Sequence, residues 1–168
     1  GMLHVAFLRS PFAHARLTGF DATAARQRAG VVAVYAAAEL GDYWRTGPLL
    51  VSPPPIPEIR FNERTQPILA RGKVRHLGEP IAAVVADSRY LAEDALADIR
   101  VDYEPLPAVV ELEAALKPGS PTVHDDLDSN LAAHVIQTIG NYAQASSSAD
   151  LTLKRRLIYD HGTAAAME

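Results

Sequence analysis

Three residues, Gly78-Glu79-Pro80, are all that separate two runs with strand character, Lys73–Leu77 and Ile81–Ala86. Parallel neighbours need a crossover of a dozen or more residues, so a link this short rules out a regular βαβ unit at that point. Other links are equally short. Leu3–Arg9 reads as a strand that stops at Ser10-Pro11, and Ala15–Phe20 follows as a second strand. Strands outnumber helices, and the chain reads as α+β with a mixed, mostly antiparallel sheet.

The remaining elements follow from caps and periodicity. Asp21 is placed to cap a helix over Ala22–Ala29, with Gly30 at the position where a helix-ending glycine belongs. Val31–Tyr35 is compact, apolar and β-branched, which predicts a buried strand, and Ala36–Leu40 has room for one helical turn. The strongest helix signal is Arg89–Ile99, capped by Asp87 or Ser88, with Leu91, Ala92, Ala95, Leu96 and Ile99 as its apolar stripe. Arg100–Tyr103 reads as a strand closed by Glu104-Pro105-Leu106-Pro107, and Glu111–Leu116 as a short helix stopped by Pro118-Gly119. Asn130–Gly140 reads as a ragged strand and Ser146-Ser147-Ser148 as a turn. From Asp150 to about Tyr159, Leu151, Leu153 and Leu157 alternate with polar residues as in a half-buried strand. Between Gly41 and Pro67 lie Pro48, Pro53, Pro54, Pro55, Pro57 and Pro67, which predict a long, mostly irregular loop with extended polyproline-like character, either a partner-contacting arm or a mobile insertion. Residues 1–158 are expected to form one domain.

Composition removes several chemistries. The chain has no cysteine, so thiolate metal sites, iron–sulfur ligation, disulfides and cysteine nucleophiles are excluded within it. The net charge of −4 argues against a nucleic-acid partner. No apolar run approaches the ~18 residues of a membrane span, and the start has no signal-peptide pattern. A cytoplasmic location is expected.

Motifs for chemistry are scarce. Pro67 stands where a phosphate-binding loop ending at Gly72-Lys73 would need a glycine, and there is no G-x-G-x-x-G or G-x-S-x-G. The six histidines, His4, His14, His76, His124, His134 and His161, include no H-x-x-x-H pair. His124-Asp125-Asp126 has ligands for a hard cation but reads more simply as a solvated loop. Glu79, among Arg71, Lys73, Arg75 and His76, is the only candidate acid–base residue, and an ion-paired turn is the commoner use of such a carboxylate. Arg71, Lys73 and Arg75 alternate, so a strand would project them from one face, for phosphate or an acidic partner or simply into solvent. Lys154-Arg155-Arg156 is read the same way.

Three stretches in order carry a resemblance: Leu8-Arg9-Ser10-Pro11-Phe12-Ala13-His14-Ala15-Arg16-Leu17; Val74-Arg75-His76-Leu77-Gly78-Glu79-Pro80-Ile81 and the apolar run after it; and Val101-Asp102-Tyr103-Glu104-Pro105-Leu106-Pro107-Ala108-Val109. Together they resemble the α/β-hammerhead domain of the large subunits of aldehyde oxidase, xanthine dehydrogenase and carbon monoxide dehydrogenase. The Arg-Ser-Pro and Gly-Glu-Pro forms look closer to the bacterial multi-subunit branch.

The resemblance implies an α/β-hammerhead fold and a non-catalytic domain that braces the cofactor-binding domains of a molybdenum hydroxylase. It implies no catalytic, cofactor-binding or metal residue in this chain. It assigns architectural roles to Arg9, Ser10, Pro11, His14, Gly78, Glu79, Pro80, Tyr103, Pro105 and Pro107. Residues 159–168, ending in Met167-Glu168, resemble the entry to a molybdenum-cofactor domain, as expected of a fragment. The parent enzyme would carry a molybdenum–pterin cofactor, with iron–sulfur clusters and FAD on other domains or subunits as its partners. The alternative is a free-standing scaffold or binding module of the same fold with no redox role.

Overall fold

The computed structural model describes residues 1–47 and 59–157. Two antiparallel three-stranded sheets form the centre. The first has the order β1-β6-β3, with β1 at His4–Arg9, β3 at Val31–Ala36 and β6 at Pro80–Ala86. The second has the order β5-β2-β7, with β2 at Ala15–Asp21, β5 at Lys73–Val74 and β7 at Arg100–Pro105. A separate pair joins β4 at Ile59–Phe61 to β8 at Ala133–Val135. The expected α+β class with antiparallel sheets is what the structure shows.

Helix α2, Arg89–Leu96, covers the first sheet. Ser88 is its cap, its Oγ accepting the Leu91 N–H at 3.3 Å. Ala92, Ala95 and Ile99 are buried and Leu91 and Leu96 pack beside them, so the stripe read from the sequence is the packing face. The helix is assigned only to Leu96 because its last N–H groups, on Ala97, Asp98 and Ile99, bond three residues back and tighten the final turn. Helix α1 is shorter than expected, Thr23–Gln27, and its cap position is Ala22. Asp21 still serves this end, because its Oδ1 accepts the Thr23 N–H at 2.8 Å; the Thr23 side chain first, and then this N–H, hold its carboxyl below the ordinary carboxylate value. Arg28 joins the two helices by donating to Asp98 at 2.7 Å.

The first core contains Ala6, Val34, Ala82, Val84, Ala86 and the inner faces of α1 and α2. The second contains Ala15, Ala70, Val74 and Ile81, with Phe12, Leu17 and Tyr103 around it. Phe20 and Val101 pack against both, which couples the two sheets.

Several expectations are corrected. Val31–Tyr35 is only half-buried: Val34 is its one fully buried residue, with Val31 packed beside the first core. The strand expected over Lys73–Leu77 ends at Val74, because the Arg75 N–H leaves the ladder for the Glu79 carboxylate. The strand ending at Tyr103 runs on to Pro105, and Pro105 fits there because β7 is an edge strand. The region 41–67, expected to be mostly irregular, also holds short ordered pieces. It includes the end of a 3-10 segment at Ala37–Tyr43, an isolated bridge from Thr46 to Pro67, and β4. Pro48, Pro53, Pro54, Pro55 and Pro57 lie outside the described residues. The helix expected over Glu111–Leu116 is α3, Leu112–Ala115. Asn130–Gly140 keeps only the three residues of β8. Ser146 and Ser147 end a helix, α4 at Tyr142–Ser147, that begins where Asn141 Oδ1 accepts the Gln144 N–H. Leu151, Leu153 and Leu157 alternate as a strand would, yet 151–157 has no strand and those leucines are exposed. Residues 158 and 159, the end of that expected strand, lie outside the described residues.

Candidate functional site: a junction of three motifs

The ten residues singled out in the sequence lie along two neighbouring stretches of backbone pairing. At the end of β1 the chain turns away at Ser10 and Pro11. Ser10 N–H donates to Glu79 O and Gly78 N–H donates to Ser10 O, both at 2.9 Å, so the strand end and the Gly78 turn close on each other. Arg9 adds a guanidinium bond to Gly78 O at 3.0 Å, and Arg9 faces Pro80 in the β1–β6 register. Gly78 has φ +79, the left-handed conformation that lets the chain reverse between β5 and β6. Ser10 is buried; its Oγ donates to Phe12 O and accepts Phe12 N–H, holding the turn through Pro11.

His14 connects the first motif to the third. Its Nδ1 lies 2.7 Å from Pro107 O, and Leu106 N–H donates to His14 O at 2.9 Å. Ala15 then pairs with Pro105, and the Phe12 and Tyr103 rings pack 4.9 Å apart. Burial raises the Tyr103 phenol above its ordinary value.

Glu79 is almost completely enclosed, at 1% exposure. Its Oε2 accepts the Arg75 N–H at 2.5 Å, with His76 Nδ1 3.8 Å away. A buried carboxylate is retained where it replaces a missing ladder partner, and here it replaces the one that Arg75 would have had.

Beside Glu79 lies a half-open cleft of about 460 Å³, bounded by Trp44, Arg71, Arg75, His76, His124 and Asp126. Most charged groups in and beside it are directed at protein partners, although Arg75 Nε is buried with none among the described residues. Asp125 accepts from Lys73 Nζ at 2.8 Å and Asp126 from Arg64, so these two carboxylates are turned to separate cations. Arg71 stacks over Trp44, with its guanidinium carbon 5.2 Å from the ring centre. Lys73 is buried, which corrects the expectation of a solvated or ligand-facing stripe at Arg71, Lys73 and Arg75. Burial, reinforced by Arg75, pushes the His124 imidazole below its ordinary value, against the opposing pull of Asp126. Arg156 pairs with Glu113 outside any strand. Sequence reasoning missed Trp44 and Arg64; neither sits in a recognisable motif, and each is brought to the cleft only by tertiary folding.

Residues 1–107 match the family model described as aldehyde oxidase and xanthine dehydrogenase, a/b hammerhead domain. The chain belongs to this family. The match ends at Pro107 and so includes all ten motif residues. The hammerhead chain is 31% identical over 171 residues to the nicotine 6-hydroxylase large subunit of Paenarthrobacter nicotinovorans, an alignment covering 99% of this chain and 19% of that protein. Among solved structures it is similar to quinoline 2-oxidoreductase from Pseudomonas putida 86, with 43% identity and a TM-score of 0.69, covering 79% of this chain and 16% of that one. It is also similar to a Cu,Mo-CO dehydrogenase, with 34% identity and a TM-score of 0.63 over 79% of this chain and 15% of the other. Its relatives are large subunits of molybdenum hydroxylases and dehydrogenases, and the hammerhead chain spans between 12% and 28% of those curated relatives.

The described hammerhead residues do not fit a molybdenum–pterin group. Buried Ser10 and Glu79 spend their polar atoms on this chain's own backbone, and no group of three His, Cys, Asp or Glu that could hold a metal occurs among the described residues. No described helix is long and apolar enough to cross a membrane.

Proposed function

We propose that this hammerhead chain is a non-catalytic structural domain in the large subunit of a molybdenum hydroxylase of the xanthine dehydrogenase, aldehyde oxidase or carbon monoxide dehydrogenase type. It braces the domains that bind the molybdenum–pterin cofactor. Iron–sulfur and flavin domains or subunits take the electrons, and the assembly works in the cytoplasm. The observation that carries this reading is how the motif residues are used. Arg9, Ser10, His14, Gly78 and Glu79 direct their polar atoms at one another's backbone or at Pro107, Phe12 and Arg75. Such residues position strands; they do not meet a substrate.

The test compares this chain alone with the complete large subunit expressed with its partner subunits. Metal analysis should find molybdenum in the complete assembly and none retained by the chain alone. Dye reduction should be assayed with carbon monoxide, aldehydes, purines and N-heterocycles. Turnover is expected only from the complete assembly, and turnover or stoichiometric molybdenum in the isolated chain would sink the proposal.

A further inference from the structure

Apart from its Ile81 end, which enters the second core, one face of the β1-β6-β3 sheet has no layer on it among the described residues. Alternation along each strand divides its side chains between two faces. Ala6, Ala82, Val84 and Val34 point into the core beneath α1 and α2. The intervening residues point the other way and line up across the strands. Val5 faces Val85, which faces Ala33; Phe7 faces Ala83, which faces Tyr35. These two rows are apolar apart from one phenol. Val5, Phe7 and Tyr35 are exposed by 52%, 45% and 41%, although each lies in a regular strand. A sheet that is apolar on both faces belongs between two layers, and the described residues supply only one over these two rows.

We propose that this face is the seat of a second layer supplied by another domain of the same large subunit. The inference rests on the functional reading above, and it names the surface through which the hammerhead braces its neighbour. Three features select a tethered apolar partner. First, the patch is small. Three strands about 4.8 Å apart, each with two outward residues about 7 Å apart, cover only a few hundred Å². A stable interface between separate chains takes about 800 Å² on each side, so a second copy would be held too weakly. A covalently linked domain acts at high effective concentration and needs far less area. Second, the relatives supply that domain in their own chains, since this chain corresponds to only 19% of the nicotine hydroxylase subunit and 16% of the quinoline oxidoreductase chain. Third, the two rows carry no charged side chain, so the face has nothing with which to recognise a nucleic acid or an acidic peptide. Arg9, the nearest cation on β1, is committed to Gly78 O and lies 5.9 Å from the Phe7 ring centre.

Because this chain has no cysteine, single thiols can report on the face. Phe7→Cys and Tyr35→Cys would be placed both in this chain alone and in the complete large subunit, and labelling read peptide by peptide with a maleimide. In the isolated chain both should react close to their rates in denaturant. In the complete subunit both should slow by roughly 100-fold or more. Side-chain footprinting of native Phe7 and Tyr35 gives the same comparison without substitution. Equal labelling in a complete subunit that contains molybdenum would overturn the inference while leaving the functional reading intact. Protection that appears in the isolated chain and grows with its concentration would overturn it in favour of a second copy. Absence of molybdenum from the wild-type subunit would instead sink the functional reading, and the labelling ratio would still decide whether the face is covered.

Discussion

The imidazole of His14 reaches the main-chain carbonyl of Pro107 across 93 residues of sequence, with Nδ1 and O 2.7 Å apart. A carbonyl only accepts, so Nδ1 carries the proton. The other ring nitrogen, Nε2, is buried with no partner among the described residues. His14 therefore closes the exit of β7 onto the entry of β2 through one nitrogen. His14→Ala should cost about 1–3 kcal/mol, because Pro107 O loses its donor within a partly buried site. His14→Asn, whose amide can donate at a similar reach, should recover part of that loss. Urea unfolding of the three proteins checks it, with midpoints ordered wild type, Asn, Ala.

Glu79 separates architecture from catalysis. Glu79→Gln keeps an oxygen able to accept the Arg75 N–H, whereas Glu79→Ala leaves that N–H without a partner and opens a void. Alanine should therefore destabilise by about 2–4 kcal/mol and glutamine by less than half as much. In the complete enzyme, turnover per molybdenum should stay within about twofold of wild type for Glu79→Gln, since 1.4 kcal/mol of lost transition-state binding would already be tenfold. A glutamine variant that folds and binds molybdenum normally yet loses turnover by orders of magnitude would return Glu79 to the reacting groups.

The ion pair between Lys73 and Asp125 should be visible in the acid limb of stability. The Lys73 ammonium is enclosed, with 5% of its side chain exposed, while Asp125 is 67% exposed. Its bond to Lys73 holds the Asp125 carboxyl below the ordinary carboxylate value. A lowered carboxylate stabilises the folded chain above its unfolded value, about 3.9, and that contribution disappears as pH falls through the folded value. Asp125→Asn should therefore be less stable than wild type at pH 7, by about 1 kcal/mol given the solvent around Asp125. Its stability should fall less steeply than that of wild type below about pH 4. Parallel urea titrations from pH 7 to pH 3 measure both; curves that stay a constant distance apart would refute the pairing.

Much of this arrangement was readable before any coordinates. Short runs of strand character bounded by turn residues located β1, β2 and β6, and the 3.6-residue stripe of α2 named its buried residues correctly. The three motifs gave the family because they include strand ends and a turn, Ser10-Pro11, Gly78-Glu79-Pro80 and Pro105-Leu106-Pro107, where proline and a left-handed glycine restrict the backbone. Other features depend on distant partners. Nothing local in Ile59–Phe61 says that it will pair with Ala133–Val135, 74 residues away. Lys73 looked like one of three solvated cations until the fold placed Asp125 against it. The alternation of Leu151, Leu153 and Leu157 is a strand signal without a strand beside it, and a lone strand in water has no ladder to satisfy its backbone.

Two glycines at the same backbone angle should respond differently to the same substitution. Gly30 has φ +80 and Gly78 has φ +79, so an alanine at either carries the left-handed penalty of about 1–2 kcal/mol. Their surroundings differ. A Cβ on Gly78 would meet nothing within 4 Å, whereas a Cβ on Gly30 would sit 2.5 Å from Leu91 Cδ1. Leu91 packs against the first core, so it cannot swing aside freely. Gly78→Ala should cost only the backbone term, and Gly30→Ala should cost about 1 kcal/mol more. A double-mutant cycle isolates the difference. In a Leu91→Ala background the clash is gone, and the cost of Gly30→Ala should fall to that of Gly78→Ala. If the Gly30 penalty is unchanged without the Leu91 side chain, the contact between α2 and the turn before β3 is not what limits that position.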